Sequence, residues 1–566
     1  MIRLHTLFLL IMCALQQSLQ AQVHNDIFRT DSLLRSRGEA YISVPNNRLK
    51  AAKCIPKLLI HDKTTDSVSY FYVNRLAFDQ LIKSEIEFFY VTPPSLAYNI
   101  KMAESTQQVF DIEGYPTYQQ YLEIMNNFRI SYPSLCKIDT IGYSKGGRLI
   151  LTARLSTATH ADGTKPFLMY SSTIHGDEPA GYILMILLID ELLKGYGLNA
   201  EYTGLLEESV ISINPLSNPD GTYFTNDSTI FGSIRQNLNY ADLNRSYPDW
   251  TQNDDPVSFN WQPENSAMDK YMRKYNPTLS VNFHGGAEVV NYPWDAIPGK
   301  HPDDTWYAYI SKEYADTAKN TDPAYMSEFP GGITNGYAWY KINGGRMDYV
   351  NYYLKGREVT IELSNAKIPS PENLNYLWLI NRRSLTNYLK QGLYGIWGAV
   401  TDSITGIPLK ARIEIPGHDE NSSFIYSGKT SGKFFRYLHE GNYSMMIKSD
   451  GYIAKNLEGI KVENNQRTNL SVGLLTLKSL IDDKNFLILP NPFNNKFSVL
   501  FTTVNSVDCH MLVYTADGIP VFENVFVSSP GINEIEIDLS SNKPGMYILY
   551  LLAGNKTIVK KVIKAA

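Results

Sequence analysis

The chain has 566 residues, of which 43% are apolar and 19% charged. At about 150 residues per domain this means three to four folded units and excludes a mainly disordered chain. A net charge of −5 and a pI near 6.1 leave no basic excess for nucleic-acid binding.

Met1-Ile2-Arg3 is a short positive start, and Leu7 to Leu15 is an apolar run too short to span a bilayer. With Ala21 before Gln22, residues 1–21 read as a signal peptide, a membrane anchor being the competing reading. Removal of that segment takes Cys13 with it and leaves Cys54, Cys136 and Cys509, widely spaced and without C-x-x-C. A disulfide framework and a cysteine zinc site are thereby excluded. Residues 22–105 alternate apolar and polar positions around Ala40–Val44, Leu58–Ile60, Val68–Val73 and Glu87–Val91, with a helical stretch at Leu76–Lys83. This predicts a small α+β unit ending near Pro93-Pro94, either a pro-segment shielding a cleft or an accessory module.

From 106 to 392 strand patterns alternate with helices. Leu149–Leu155, Phe167–Ser172, Val210–Asn214 and Thr278–Phe283 read as strands, and Ala180–Leu193 as a helix. That alternation predicts an α/β domain on a parallel or mixed sheet. Tyr182–Leu193 is apolar but carries Asp190 and Glu191, so it reads as a buried helix, and no transmembrane segment is expected. Beyond 393 strands are short and turns Gly- and Pro-rich. Two β-sandwich units are expected, over 393–477 and 478–566, the first of them antiparallel.

Three positions form a candidate metal site. His175-Gly-Asp-Glu178 follows the strand Phe167–Ser172, and His284-Gly-Gly286 follows another. Strand ends are where open α/β sheets place ligands. Two His and one carboxylate leave a fourth position for water, the pattern of catalytic zinc. Between them lie Asn218-Pro-Asp-Gly221, Arg235-Gln-Asn237 and Asp242-Leu-Asn-Arg-Ser246. Arginines beside Asn suit a carboxylate and a polarised carbonyl. Each motif alone also fits a surface His, a turn or a solvated Arg.

Taken in order, these motifs resemble the zinc metallocarboxypeptidases of the carboxypeptidase A superfamily, and their detail the branch of carboxypeptidases N, E and D. His284-Gly-Gly-Ala-Glu-Val-Val-Asn-Tyr-Pro-Trp-Asp295, Gly332–Gly336 with Trp339-Tyr340, and Glu358-Val-Thr-Ile-Glu-Leu-Ser364 carry the likeness. It implies the carboxypeptidase fold, a mixed eight-stranded sheet flanked by helices, over 106–392. It implies one zinc ion held by His175, Glu178 and His284. Glu362 would be the general base that activates the zinc-bound water, with Glu358 its rival on the strand pattern. Arg235 would stabilise the oxyanion, Asn244 and Arg245 hold the substrate's C-terminal carboxylate, and Tyr340 cap the terminal residue. Asp295 implies preference for C-terminal Lys or Arg. Gly344-Gly-Arg346-Met347-Asp348 departs from the branch, and Met347 with the charge of Arg346 argues for apolar side chains instead.

Gly398-Ala-Val-Thr-Asp402, Thr405–Leu409 and Gly451-Tyr resemble the transthyretin-like domain of that branch. Leu489-Pro-Asn-Pro-Phe493, Tyr514–Gly518, Gly545-Met-Tyr and the Lys-rich closing strand resemble a type nine secretion sorting domain, an ordinary β module being the alternative. The implied protein is secreted or displayed at the cell surface, engages the secretion machinery, and acts on peptide or protein C-termini. The alternatives are a zinc amidohydrolase acting on cell-wall peptides or modified C-termini, and a catalytically silent binding protein.

Overall fold

The computed structural model describes residues 24–51, 59–84, 86–97, 100–157, 163–475, 486–503, 506–553 and 556–565. The expected signal peptide, Cys13 and Cys54 lie outside them. Among the described residues no helix is long and apolar enough to cross a membrane. Cys136 and Cys509 are buried free thiols.

The first unit is a helix over 24–37 followed by strands β1 (Ala40–Pro45), β2 (Ile60–Thr64), β3 (Val68–Val73) and β4 (Phe89–Val91) in the antiparallel order β2-β3-β1-β4. Helix Arg75–Lys83 starts where the Asn74 side chain accepts the Ala77 amide. Period-two alternation sorts the sheet's faces. Ile42, Val44, Phe71 and Val73 pack under the helices with Leu34, Phe78 and Leu81. The other face presents Tyr41, Tyr70 and Tyr72, whose rings touch one another.

The central sheet uses β5 (Cys136–Tyr143), β6 (Leu149–Leu155), β7 (Phe167–Ser172), β8 (Val210–Asn214), β9 (Leu279–His284), β10 (Ala287–Tyr292), β11 (Ile333–Asn335) and β12 (Arg357–Ser364). Their order is β11-β10-β12-β9-β7-β8-β6-β5. β12, β9, β7 and β8 run parallel, while β10, β6 and β5 pair antiparallel to their inner neighbours, so the sheet is mixed as expected. The parallel strands are buried along their whole length, as strands covered on both faces must be. Leu168 and Tyr170 face one layer with helices Ala180–Gly195 and Pro371–Gln391. Phe167 and Met169 face the other, with Met268, Tyr271 and Met272 of helix Pro263–Tyr275.

Two β-sandwiches follow. In the first, Lys433–Arg436, Gly395–Asp402 and Arg467–Leu474 form one sheet, and the other is built on Gly441–Lys448 and Lys455–Val462. Ile396, Val400, Met445, Ile447 and Val472 fill the space between them. This sandwich is not wholly antiparallel. Gly395–Asp402 and Arg467–Leu474, its first and last strands, pair in parallel, because the chain crosses to the opposite sheet before returning. The second sandwich runs from Phe486 to Lys564 around Phe497, Val499, Met511, Val513, Leu549 and Leu551.

Candidate active site

The parallel order β12-β9-β7 places three carboxyl-terminal strand ends side by side. His284 is the last residue of β9, and the loop leaving β7 carries His175 and Glu178 into helix Ala180–Gly195. His175 Nδ1 lies 3.0 Å and His284 Nδ1 2.9 Å from Glu178 Oε2, and the two nitrogens are 3.1 Å apart. A tetrahedral zinc with bonds of roughly 2.1 Å keeps its ligand atoms roughly 3.4 Å apart, so this buried donor set fits zinc.

The far ring nitrogens are also held. His175 Nε2 is 3.0 Å from Asp242 Oδ1, and His284 Nε2 is 2.8 Å from the Asn282 amide. Asn282 Oδ1 has no partner among the described residues, and with that oxygen turned to the ring it accepts the Nε2 proton. A bound metal would meet the Nδ1 lone pair of each ring, whereas in the metal-free protein both Nδ1 atoms face Glu178 Oε2. Burial works against Glu178 as an anion, but His175, Lys367 and the hydrogen bonds from both histidines hold its carboxyl well below the usual range.

Glu362 in β12 stands directly opposite His284 in the strand register. Burial, then the charge of Glu178, pushes its carboxyl up to about 8, and among the described residues Oε2 has no hydrogen-bond partner. Its rival Glu358 is a different kind of carboxylate. It accepts from Ser280 Oγ at 2.7 Å and Arg346 Nη2 at 3.0 Å, away from the cavity.

One cavity joins the donor set to Glu362, Arg235, Asn244, Arg245, Asp295 and Tyr340. Arg235 donates to Glu178 Oε1 and Asp242 Oδ2, each at 3.0 Å. Asn244 Oδ1 accepts the Arg346 amide and so ties the Gly344–Arg346 loop to the turn Leu243–Arg245. Asp295 is buried and accepts from Asn291 Nδ2 at 3.1 Å. Met347 is buried and is not among the residues lining the cavity. The Arg346 guanidinium points inward to Glu358 and Ser171, so its charge does not reach the pocket.

Several residues here were not picked out from the sequence. Asp242 opens the Asp-Leu-Asn-Arg motif and bridges His175 to Arg235. Asn282 shares the face of β9 with His284, a period-two signal that was readable. Lys367 reaches Glu178 Oε1 at 2.6 Å and Asp62 at 2.8 Å. His61 and Asp62, from β2, line the same cavity and had no local signal.

Residues 121–384 match the model of the zinc carboxypeptidase family. Carboxypeptidase M of Mus musculus is 31% identical over 338 residues, 57% of this chain and 75% of that one. The chain belongs to the zinc carboxypeptidase family. Carboxypeptidase E of Caenorhabditis elegans is 31% identical over 400 residues, 62% of this chain and 84% of that one. Carboxypeptidase D of Anas platyrhynchos is 34% identical over 346 residues, 58% of this chain and 24% of that one, so the chain spans about a quarter of that relative. A carboxypeptidase A structure from Helicoverpa armigera superimposes with a TM-score of 0.47 at 16% identity, over 63% of this chain and 97% of that one. Residues 487–565 match the secretion system C-terminal sorting domain.

Proposed function

We propose that the chain is an exported zinc carboxypeptidase that removes the C-terminal residue of peptides, with a preference for Lys or Arg. The observation that carries this is one cavity shared by a two-His, one-Glu donor set, a free buried carboxylate and an Asn-Arg pair. One zinc ion held by His175, Glu178 and His284 would polarise the scissile carbonyl and acidify water. Asn244 and Arg245 take the substrate's carboxylate, which fixes the reaction to the last peptide bond. Tyr340 covers the terminal residue. Glu362 takes a proton from the attacking water and returns it to the leaving amine. Arg235 faces the carbonyl oxygen as charge develops there. Export rests on the sorting-domain match and on the signal-peptide pattern of residues 1–21. In this reading the signal peptide is 1–21, the first unit 22–105, the catalytic domain 106–392, the transthyretin-like sandwich 393–477 and the sorting domain 478–566.

The first test is release of the last residue from peptides ending in Lys, Arg, Phe, Leu or Glu, with and without a zinc chelator. Chelator-sensitive release of Lys and Arg is expected. Absence of release from a zinc-loaded sample would sink the reading.

Specificity carries a pH signature. Burial pushes the Asp295 carboxyl up to about 6 against the opposing Asn291 hydrogen bond and the Arg245 charge. It is therefore an anion above that value and neutral below. As pH falls through about 6, kcat/KM for a C-terminal Lys peptide should drop relative to a Leu peptide. Asp295→Asn should flatten that ratio and lower the Lys preference at neutral pH. An unchanged ratio would remove Asp295 from specificity.

A further inference from the structure

β2 is the edge strand of the first unit's sheet, and it lies across the catalytic cavity. His61 stacks edge-on against Tyr340 with ring centroids 5.3 Å apart. The next residue, Asp62, pairs with Lys367 at 2.8 Å, and Lys367 in turn contacts Glu178. The strand thus runs from the residue that covers the terminal side chain to the residue beside the metal donors. Within this strand His61 Nδ1 is buried without a hydrogen-bond partner among the described residues.

The unit is fastened to the loops that carry the catalytic side chains. Glu39 accepts the backbone amides of Arg235 and Gln236 at 3.2 and 3.3 Å. Tyr72 donates to Asp177, between the two donors His175 and Glu178, and its ring lies 5.5 Å from the Arg235 guanidinium. Arg37 donates to the Ser233 carbonyl at 2.7 Å. These polar groups are buried, so lifting the unit would break each bond at once and expose Tyr72 and Tyr41.

We infer that β2 is a standing roof of the active site and restricts the enzyme to short peptides, with His61 the residue that sets the limit. This rests on the carboxypeptidase reading. With the carboxylate at Arg245 and the scissile carbonyl at the donor set, the next residue upstream must lie beyond Glu178. There Lys367 and Asp62 close the space. His61, Asp62 and Lys367 line the cavity on that side, so the strand stands in the path of an extended chain.

The test compares a blocked dipeptide ending in Lys with a long peptide carrying the same last two residues, using the full chain loaded with zinc. Wild type should favour the short substrate in kcat/KM by about a hundredfold. His61→Ala should cut that ratio by about tenfold, chiefly by raising the long peptide's rate, and His61→Trp should widen it. A wild-type ratio near one, or a ratio that neither variant moves, overturns the roof. So does a wild type inert towards both substrates beside an His61→Ala variant that cleaves both, since β2 would then be a complete block. Failure of every form to cleave either substrate, with zinc bound, falls instead on the carboxypeptidase reading.

Discussion

Glu362→Gln should lower kcat by about 10²–10⁴-fold while zinc stays bound. Gln keeps the shape of the side chain and removes only its ability to take a proton. Among the described residues Oε2 has no hydrogen-bond partner that the substitution would strand, although Lys367, His175 and Arg235 do favour the charge. The charge is in fact a cost in the metal-free protein, where burial and Glu178 push the carboxyl up to about 8. A raised pKa means that the folded state holds a proton the unfolded state has lost, so this group's contribution falls as pH rises towards about 8. The Gln variant should lose that slope and melt no lower than wild type near neutrality. Glu358→Gln should do the reverse. It leaves the buried Arg346 without its counter-charge, at a cost of about 3–5 kcal/mol, and kcat of the folded fraction should stay near wild type. Steady-state kinetics, zinc content and thermal melts of both variants decide the matter. Wild-type kcat in Glu362→Gln would remove it as the base.

Parts of this architecture were legible for reasons that can be named. β7, β8 and β9 are continuous apolar runs, and buried parallel strands carry that pattern. His175 and His284 follow such runs beside glycines, so their convergence was foreseeable once the strands were taken as neighbours. β5 was not foreseen, since Cys136–Tyr143 sits at the sheet's edge and mixes half-buried with exposed positions. The parallel pairing of Gly395–Asp402 with Arg467–Leu474 joins strands far apart in sequence, which no local pattern encodes. Arg346 shows how a correct residue leads to the wrong environment. Its place beside Met347 suggested a charge in the pocket, but its partner Glu358 lies on a buried strand behind it. The contacts of His61, Asp62 and Tyr72 were invisible for a related reason. They arise where one folded unit docks on another, and docking leaves no periodicity in either sequence.

Asp303→Ala should destabilise the chain by about 3–5 kcal/mol and loosen the first β-sandwich from the catalytic domain. Asp303 is buried at the start of helix Asp304–Lys319, where Oδ2 accepts Arg357 Nε at 2.8 Å and Arg436 Nη1 at 2.7 Å. Oδ1 takes Arg436 Nη2 at 3.0 Å and stands 2.8 Å from His418 Nε2. Arg436 also donates to Asp419 at 2.6 Å. Two guanidiniums from different domains therefore share one carboxylate. Arg357 opens β12, the strand that carries Glu362, so the joint is built into the catalytic sheet. Removing Asp303 leaves both cations buried and facing each other, whereas Asp303→Asn keeps acceptor capacity and should cost less. Burial opposes the Asp303 charge, but Arg436, Arg357 and the His418 hydrogen bond hold the carboxyl well below its ordinary value. A depressed pKa gives stability that is complete above the unfolded value, about 4, and is lost as pH falls below it. Denaturant unfolding of the wild type should thus weaken below about pH 4, and Asp303→Ala should lack that part of the acid dependence. In the variant, tryptophan fluorescence and circular dichroism should report two separate transitions in place of one. A single transition at the wild-type midpoint would show that the apolar contacts hold the domains without this ion cluster.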